Sequence, residues 1–365
     1  MRPDLTPGTI TQVIGPSGQG LSTWARSLGH PVVSQDALAH VTHLRETVAE
    51  EIAFGLEQRA VPRPEMHERV RRMVDLVGLD PEASPAALSG GQTRRLAIAT
   101  VAVLEPEILV LDDPFAGLDP AATRRLRDLC TSLPDTAVLI LGHAAQPLPG
   151  EVFSLIDDHL TPHSPPPPVQ LPAPVTPGAS IDLGEVTGQR GGRRRWWQFR
   201  PSGAAFRIGP VPMSVQAGGV LWLRGPNGSG KTTLLRALAG LDGAPARDVS
   251  LLLQRAADQV VEATVADFAG PRHRELGLDP DTHPLDLGAT DLRLAQFLAV
   301  ASLRRPVMAL DEPDVGLDHR GRTLMHRLIA GELAAGRALV VTCHDDTFMA
   351  EVTEYAAVAS LNLVP

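Results

Sequence analysis

With only two cysteines, Cys130 and Cys343, in 365 residues, the chain has no disulfide framework to rely on. No run of 18 apolar residues occurs, which excludes a conventional membrane-spanning helix. No basic segment followed by an apolar one opens the chain, so the protein is expected to stay in the cytoplasm. Positive charge is in deficit: 33 Lys and Arg against 42 Asp and Glu leave a net charge of −9, which argues against the basic footprint of a nucleic-acid-binding protein. The hydrophobic content of 43% is that of an ordinary globular protein, and the length suffices for two domains.

Against those absences stands one loop. Gly225-Pro226-Asn227-Gly228-Ser229-Gly230-Lys231-Thr232-Thr233 fits G-x-x-x-x-G-K-[ST] without mismatch. The apolar Val220-Leu221-Trp222-Leu223 precedes it, and the helix-like Leu234-Leu235-Arg236-Ala237-Leu238-Ala239 follows. In a strand–turn–helix setting the glycines let backbone N–H groups crowd around phosphate oxygens, and the helix N-terminus adds partial positive charge. Lys231 is expected to neutralise the β- and γ-phosphates of ATP or GTP, and the Thr232 hydroxyl to ligate Mg²⁺.

The same plan occurs twice. The segment from Thr161 to Pro177 carries Pro165-Pro166-Pro167-Pro168 and reads as an extended linker. Before it come Gly15-Pro16-Ser17-Gly18-Gln19-Gly20-Leu21-Ser22-Thr23, then Gln35 after Val32-Val33-Ser34, then Leu88-Ser89-Gly90-Gly91-Gln92. Ile108-Leu109-Val110-Leu111-Asp112-Asp113, Gly117-Leu118-Asp119 and His143 complete the first set. After the linker come the Gly225 loop, Gln254, Ala309-Leu310-Asp311-Glu312, Gly316-Leu317-Asp318 and His344. Apolar strands ending in acidic residues, alternating with helical stretches, predict a largely parallel α/β sheet in each half.

This ordered set resembles that of the ATP-binding cassette (ABC) ATPases, over nearly the whole chain. The resemblance implies two tandem ABC-type P-loop NTPase domains, each a mostly parallel sheet core plus a helical subdomain. They would occupy residues 1–160 and 179–365, joined by the Pro-rich linker 161–178. It also implies roles. In the second half, Gly225 to Thr233 would bind ATP, with Thr232, Asp311 and Gln254 around Mg²⁺. Glu312 would activate water, and Gln254 and His344 would be the switch residues that touch the metal, the attacking water and the γ-phosphate. Ser89, Gly90, Gly91 and Gln92, the signature, would bind ATP together with Asp119.

Each half departs from the pattern. In the first, Leu21 stands where a phosphate-binding lysine belongs, and Asp113 where a glutamate belongs. The shorter side chain withdraws the carboxylate by about 1.5 Å, enough to lose in-line water activation. No segment bearing an adenine-stacking aromatic precedes Ile10-Thr11-Gln12-Val13-Ile14; it is either lost, or the true start lies upstream. In the second half the signature has decayed to Asp286-Leu287-Gly288-Ala289-Thr290, a register open to a slip of one residue, and the helical subdomain is shortened. Cassettes of this family pair head to tail, so that the signature of one serves the phosphate loop of the other. Pairing within the chain would collect every intact part in the Lys231/Glu312 site. The losses would fall in a degenerate site holding Gly15, Gly20, Leu21, Ser22, Gln35, Asp112, Asp113 and His143, with pairing between chains as the other arrangement.

The stretch Thr47-Val48-Ala49-Glu50-Glu51-Ile52-Ala53-Phe54-Gly55-Leu56-Glu57 is similar to one in the ATPases of energy-coupling-factor (ECF) transporters, importers of vitamins and metal ions. That likeness implies integral membrane partners, a transmembrane coupling protein and a substrate-binding membrane protein, with this chain on the cytoplasmic face. The plainer reading is an amphipathic helix with Val48, Ile52 and Phe54 in the core. A soluble tandem cassette acting on ribosomes would call for a long charged linker, which this chain lacks; an exporter ATPase would use the same motor. The basic, aromatic run Arg190 to Arg200 supplies Trp196, Trp197 and Phe199 as candidates to stack on adenine. Glu312→Gln is expected to nearly abolish ATP turnover, while Asp113→Asn changes it by less than about tenfold. Ser89→Ala should cost as much as Lys231→Ala. Steady-state phosphate release on the four variants checks the asymmetry, and equal losses from the two carboxylates would refute it.

Overall fold

The computed structural model of the chain describes residues 3, 5–16, 20–34, 37–42, 44–116, 118, 120–156, 159–190, 206–226, 228–245 and 247–363. Gln35, Gly117, Asp119, Asn227 and the aromatics Trp196, Trp197 and Phe199 lie outside the described residues. The chain divides into two units, Met1–Pro167 and Pro168–Pro365.

The first unit runs β1 (Ile10–Ile14), α1 (Leu21–Ser27), β2 (Val32–Val33), α2 (Val48–Gln58), α3 (Arg63–Val77), α4 (Gly90–Ala102), β3 (Ile108–Asp112), α5 (Pro120–Thr131), β4 (Ala137–Gly142), β5 (Glu151–Ile156) and β6 (His159–Pro162). Its sheet has the order β2-β3-β4-β1-β5-β6, parallel throughout except for β6 against β5. Every residue of β1 and β4 is buried, because both faces of a parallel sheet are covered; β4 reads as an unbroken apolar run, while β1 also buries Thr11 and Gln12. Alternation still sorts the faces: Leu109, Leu111, Val138 and Ile140 join one core with Ile52, Leu96 and Leu126, while Val110, Leu139 and Leu141 join the other with Val13 and Leu21.

Helix α2 starts at a capping box, Thr47 with Glu50. It buries Val48, Ile52 and Leu56, one face at a spacing of four, as the core reading expects; Phe54 is only half-buried, with the Arg45 guanidinium 5.1 Å from its ring centre. Glu51 is also buried, its carboxylate accepting bonds from the Thr42 N–H and hydroxyl, which ties down the preceding loop.

The second unit opens with an antiparallel ribbon, β7 (Ser180–Arg190) and β8 (Phe206–Gln216). Then follow β9 (Gly219–Arg224), α6 (Lys231–Leu238), β10 (Val249–Leu252), α7 (Val265–Ala269), α8 (His273–Leu276), α9 (Ala289–Ser302), β11 (Val307–Asp311), α10 (His319–Ala334), β12 (Ala338–Thr342), α11 (Asp346–Thr353) and β13 (Ala357–Asn362). The sheet order is β10-β11-β12-β9-β13, all parallel. Among the described residues no such ribbon precedes β1 in the first unit. The shortening of the second helical region is plain: α7 and α8 have 5 and 4 residues where α2 and α3 have 11 and 15.

The linker differs from the sequence-based expectation at both ends. Its first residues, Thr161 and Pro162, finish β6. Beyond Pro168 it is not a free spacer: Leu171 and Val175 pack on the core of the second unit, and the Val175 N–H donates to the Tyr355 carbonyl at 2.7 Å. Two apolar side chains in an otherwise proline-rich stretch suffice to dock it.

The ribbon lies against α6. A Cβ on Gly188 would stand 2.8 Å from Thr233 Cγ2 and 2.9 Å from the Thr233 carbonyl oxygen. Gly188→Val is therefore expected to push β7 off the helix, costing about 1–3 kcal/mol and lowering the Tm by several degrees in a thermal melt. Gly331→Ala, in α10 with open space around it, should be neutral or stabilising by about 0.4–1 kcal/mol.

Candidate functional site

In the second unit, strand β9 delivers the chain into the glycine loop, and Gly230, at φ 93°, turns it into α6. That conformation is strained for any residue with a Cβ, and a Cβ there would also meet Ile208 Cδ1 at 2.9 Å and Phe206 Cε1 at 3.0 Å. The Lys231 ammonium folds back across the loop and donates to the carbonyls of Gly225 at 2.6 Å and Pro226 at 3.0 Å. Next along the helix, the Thr232 hydroxyl donates to Asp311 Oδ1 at 3.2 Å. Asp311 ends β11 and is 1% exposed; a second donor, the Thr342 hydroxyl on β12, reaches the same oxygen at 2.6 Å.

Glu312 follows at φ 51°, a left-handed conformation that is unusual for a residue with a side chain and recurs at functional sites. Its backbone N–H donates to the Thr342 carbonyl at 3.0 Å. Its carboxylate meets both residues expected to act as switches: Gln254 Nε2 donates to Oε2 at 2.7 Å, and His344 Nε2 lies 3.5 Å from Oε1. Four side chains from separate parts of the sequence, Thr232 on α6, Gln254 at the exit of β10, Thr342 on β12 and His344 just beyond it, thus converge on the carboxylate pair at the end of β11. Burial pushes the Glu312 carboxyl up to about 7, with the neighbouring Asp311 and Asp314 charges adding to the rise and the Gln254 hydrogen bond and Lys231 opposing it. Burial also raises Asp311, opposed by the Thr342 and Thr232 hydroxyls. A carboxyl near 7 is matched to taking a proton from water at neutral pH.

The first unit repeats the frame with different chemistry. Gly20, at φ 75°, turns the chain into α1, and the Ser22 hydroxyl donates to Asp112 Oδ2 at 2.6 Å. Leu21 is 7% exposed and belongs to the core with Val13 and Ala25. It lies over Gly15, where an added Cβ would be 3.2 Å from Leu21 Cγ, so an apolar side chain fills the space over which Lys231 reaches in the second unit. Asp113 keeps the left-handed φ, at 47°. His143 Nδ1 lies 2.8 Å from the Gly15 carbonyl oxygen. One further loss escaped the sequence reading: Leu141 occupies the strand position of Thr342, so Asp112 has no hydroxyl from β4. Aligning the two β3/β4 and β11/β12 registers would have found it.

The signature Ser89-Gly90-Gly91-Gln92 forms the start of α4. Ser89 is its N-cap, and Ser89 N–H donates to Gln92 Oε1 at 2.9 Å. In α9 the N-cap is Gly288, with no side-chain cap. Arg94 donates to the Ala116 carbonyl as Arg293 does to that of Val315, which fixes Gly288 as the counterpart of Ser89. The decayed signature is therefore Leu287-Gly288-Ala289-Thr290-Asp291, one residue beyond the first-choice register.

Phe206 was also passed over. It is 39% exposed at the start of β8, beside the Gly230 turn; an aromatic opening the strand before β9 was the available signal. The donors around Thr232 and Asp311 are oxygens only, which fits a magnesium ion completed by phosphate and water.

The chain matches the family model for ABC transporters over residues 1–116 and 208–266, one stretch in each unit. It is similar to a Streptomyces coelicolor protein provisionally named an ABC transporter ATP-binding protein, with 28% identity over 464 aligned positions, covering 96% of this chain and 81% of that protein. It is 34% identical over 160 positions to an energy-coupling factor transporter ATP-binding protein of Lacticaseibacillus paracasei, covering 36% of this chain and 58% of that one. Among solved structures it shares its fold with an archaeal ribosome recycling factor, at a TM-score of 0.59 and 18% identity over 96% of this chain and 83% of that one.

The raised Glu312 carboxyl has a stability consequence. The folded state holds this proton up to about pH 7, whereas an unfolded glutamate releases it near 4.3. The folded state therefore binds more protons between these values, and its contribution to stability is lost as pH rises through that window. Without nucleotide or magnesium, Glu312→Gln should raise the Tm relative to the wild type at pH 8, and the gap should close at pH 4; scanning calorimetry at the two pH values checks it.

Proposed function

Because this chain is an ATPase of the ABC type, we propose that it is the motor subunit of a membrane ABC transporter, of the energy-coupling-factor kind that imports a vitamin or a metal ion. The observation that carries the reading is the identity of 34% with an energy-coupling factor transporter ATP-binding protein, alongside a likeness to a provisionally named transporter ATP-binding protein that covers 96% of the chain. The ribosome-acting reading draws on likeness in fold alone.

In this reading the Lys231/Glu312 site hydrolyses ATP. Lys231 offsets charge on the terminal phosphates, the Gly225 to Thr233 loop offers backbone N–H groups to them, and Phe206 joins the candidates that stack on the base. Thr232 and Asp311 hold Mg²⁺, with Gln254 beside it; the bound ion would draw charge from the phosphate oxygens as it develops. Glu312 receives a proton from the attacking water, Gln254 holds the carboxylate in place through its amide, and His344 faces the γ-phosphate. The Leu21/Asp113 site lacks the cation and the longer carboxylate, so it serves at most as a binding site. Nucleotide binding and release would bias the open and closed states of the motor, and the partners, not this chain, would choose the solute. The chain would sit on the cytoplasmic face of the membrane. Among the described residues no helix is long and apolar enough to cross it.

Purification of the tagged protein from detergent-solubilised host membranes, followed by mass spectrometry, tests this. The expected result is polytopic membrane proteins at fixed stoichiometry, one of them binding the solute. Recovery of ribosomal proteins, or of a chain with no companion, would overturn the transporter reading.

A further inference from the structure

Helix α9 lacks the signature that would begin it, yet it carries a buried arginine with four hydrogen bonds. Arg293 is 3% exposed. Its Nη1 donates to the Leu253 carbonyl at 2.8 Å and to Gln296 Oε1 at 2.8 Å, its Nη2 donates to the Gln254 carbonyl, and its Nε to the Val315 carbonyl at 3.4 Å. Gln296, fully buried one turn on, donates to the same Leu253 carbonyl at 2.9 Å and to Gln259 Oε1. Gln259 closes the circuit, accepting from the Leu253 N–H at 2.7 Å and donating to the Leu251 carbonyl at 2.9 Å.

The acceptors matter more than their number. Leu253 and Gln254 form the exit from β10 that carries the switch amide, and Gln254 is an exposed residue whose amide reaches inward to the buried Glu312 carboxylate. Val315 belongs to the turn after β11, where its own N–H donates to the Glu312 carbonyl at 3.3 Å. One planar guanidinium therefore cross-links the backbone behind Gln254 to the backbone behind Glu312. The two side chains it backs meet at 2.7 Å. Burying a guanidinium is costly unless its donors are satisfied, and a methionine of similar volume would fill a helix–sheet gap without that cost. A fork of donors in fixed geometry is what a bridge between two loops requires.

We infer that Arg293, supported by Gln296 and Gln259, is a positioning residue for hydrolysis: it sets the Gln254 amide against the Glu312 carboxylate. On this account α9 outlives its signature because its role is to brace the switch loop of its own unit. The inference rests on the assignment of Gln254 and Glu312 to the hydrolytic site.

The test is a double-mutant cycle on the full chain, with ATP turnover and equilibrium ATP affinity measured on each variant. Arg293→Met is expected to lower kcat about tenfold or more while ATP affinity changes less than about threefold. Gln254→Ala should lower kcat by a similar factor, and the double variant should be no slower than Gln254→Ala alone, because both act through one amide. Arg293→Lys, which keeps the charge but not the fork, should restore little. If Arg293→Met does not fold, Gln259→Ala, at a half-buried position, replaces it in the cycle with a smaller expected loss of the same kind. Losses that multiply in the double variant, or a fall in ATP affinity equal to the fall in kcat, would overturn the inference and leave the site assignment standing. A Gln254→Ala variant with unchanged turnover would overturn both.

Discussion

The second unit depends on a pair of adjacent carboxylates held in the interior at the end of one strand. Asp311 and Glu312 are 1% and 6% exposed, and two carboxylates so close cannot both ionise without support. The support is what the surrounding chain supplies: hydroxyls from Thr232 and Thr342 on Asp311, an amide from Gln254 on Glu312, and the charge of Lys231 near both. Parallel pairing of β11 with β12 brings Thr342 beside Asp311, and the left-handed turn at Glu312 redirects its side chain from the strand into the loops. Removing any one of these groups leaves a buried charge less well satisfied, so the site is cooperative by construction.

The first unit shows the same frame with that demand relaxed. Asp112 and Asp113 remain, but Leu21 has become a core residue and Leu141 stands where a hydroxyl would help. The two changes are consistent with each other. An apolar side chain at position 21 extends the core beneath the loop, and an apolar residue at the end of β4 continues it. Conversely the first unit keeps a capped signature helix, Ser89 with Gln92, while the second begins α9 on an uncapped Gly288. Each unit therefore carries polar devices that the other lacks.

The second helical region is smaller than the first. Its helices α7 and α8 are short, so α9 packs directly over the end of β10 and spends its polar side chains on carbonyls there. In the first unit α2 and α3 supply a broad apolar face of their own, through Ile52, Leu56, Val70 and Met73. A shorter subdomain buries less apolar surface, and the Arg293–Gln296–Gln259 network provides directional contacts in its place.

Much of this was legible in the one-dimensional record. The phosphate loop, the strand-terminal carboxylates, the signature at Ser89 and the alternation of apolar runs with helices depend on local spacing, which sequence displays directly. So did the substitutions Leu21 and Asp113, because a motif makes its own exceptions visible. The tertiary structure alone decided what had no fixed spacing. It showed that Thr342, 31 residues from Asp311, shares its oxygen, that Phe206 lies beside Gly230, and that Leu171 and Val175 fasten the linker. It also fixed the signature register through a helix cap and an arginine contact, where residue identity left two choices open. Those facts arise from strand register and long-range packing, in which each partner is chosen by the fold and carries no mark of the choice in its neighbours.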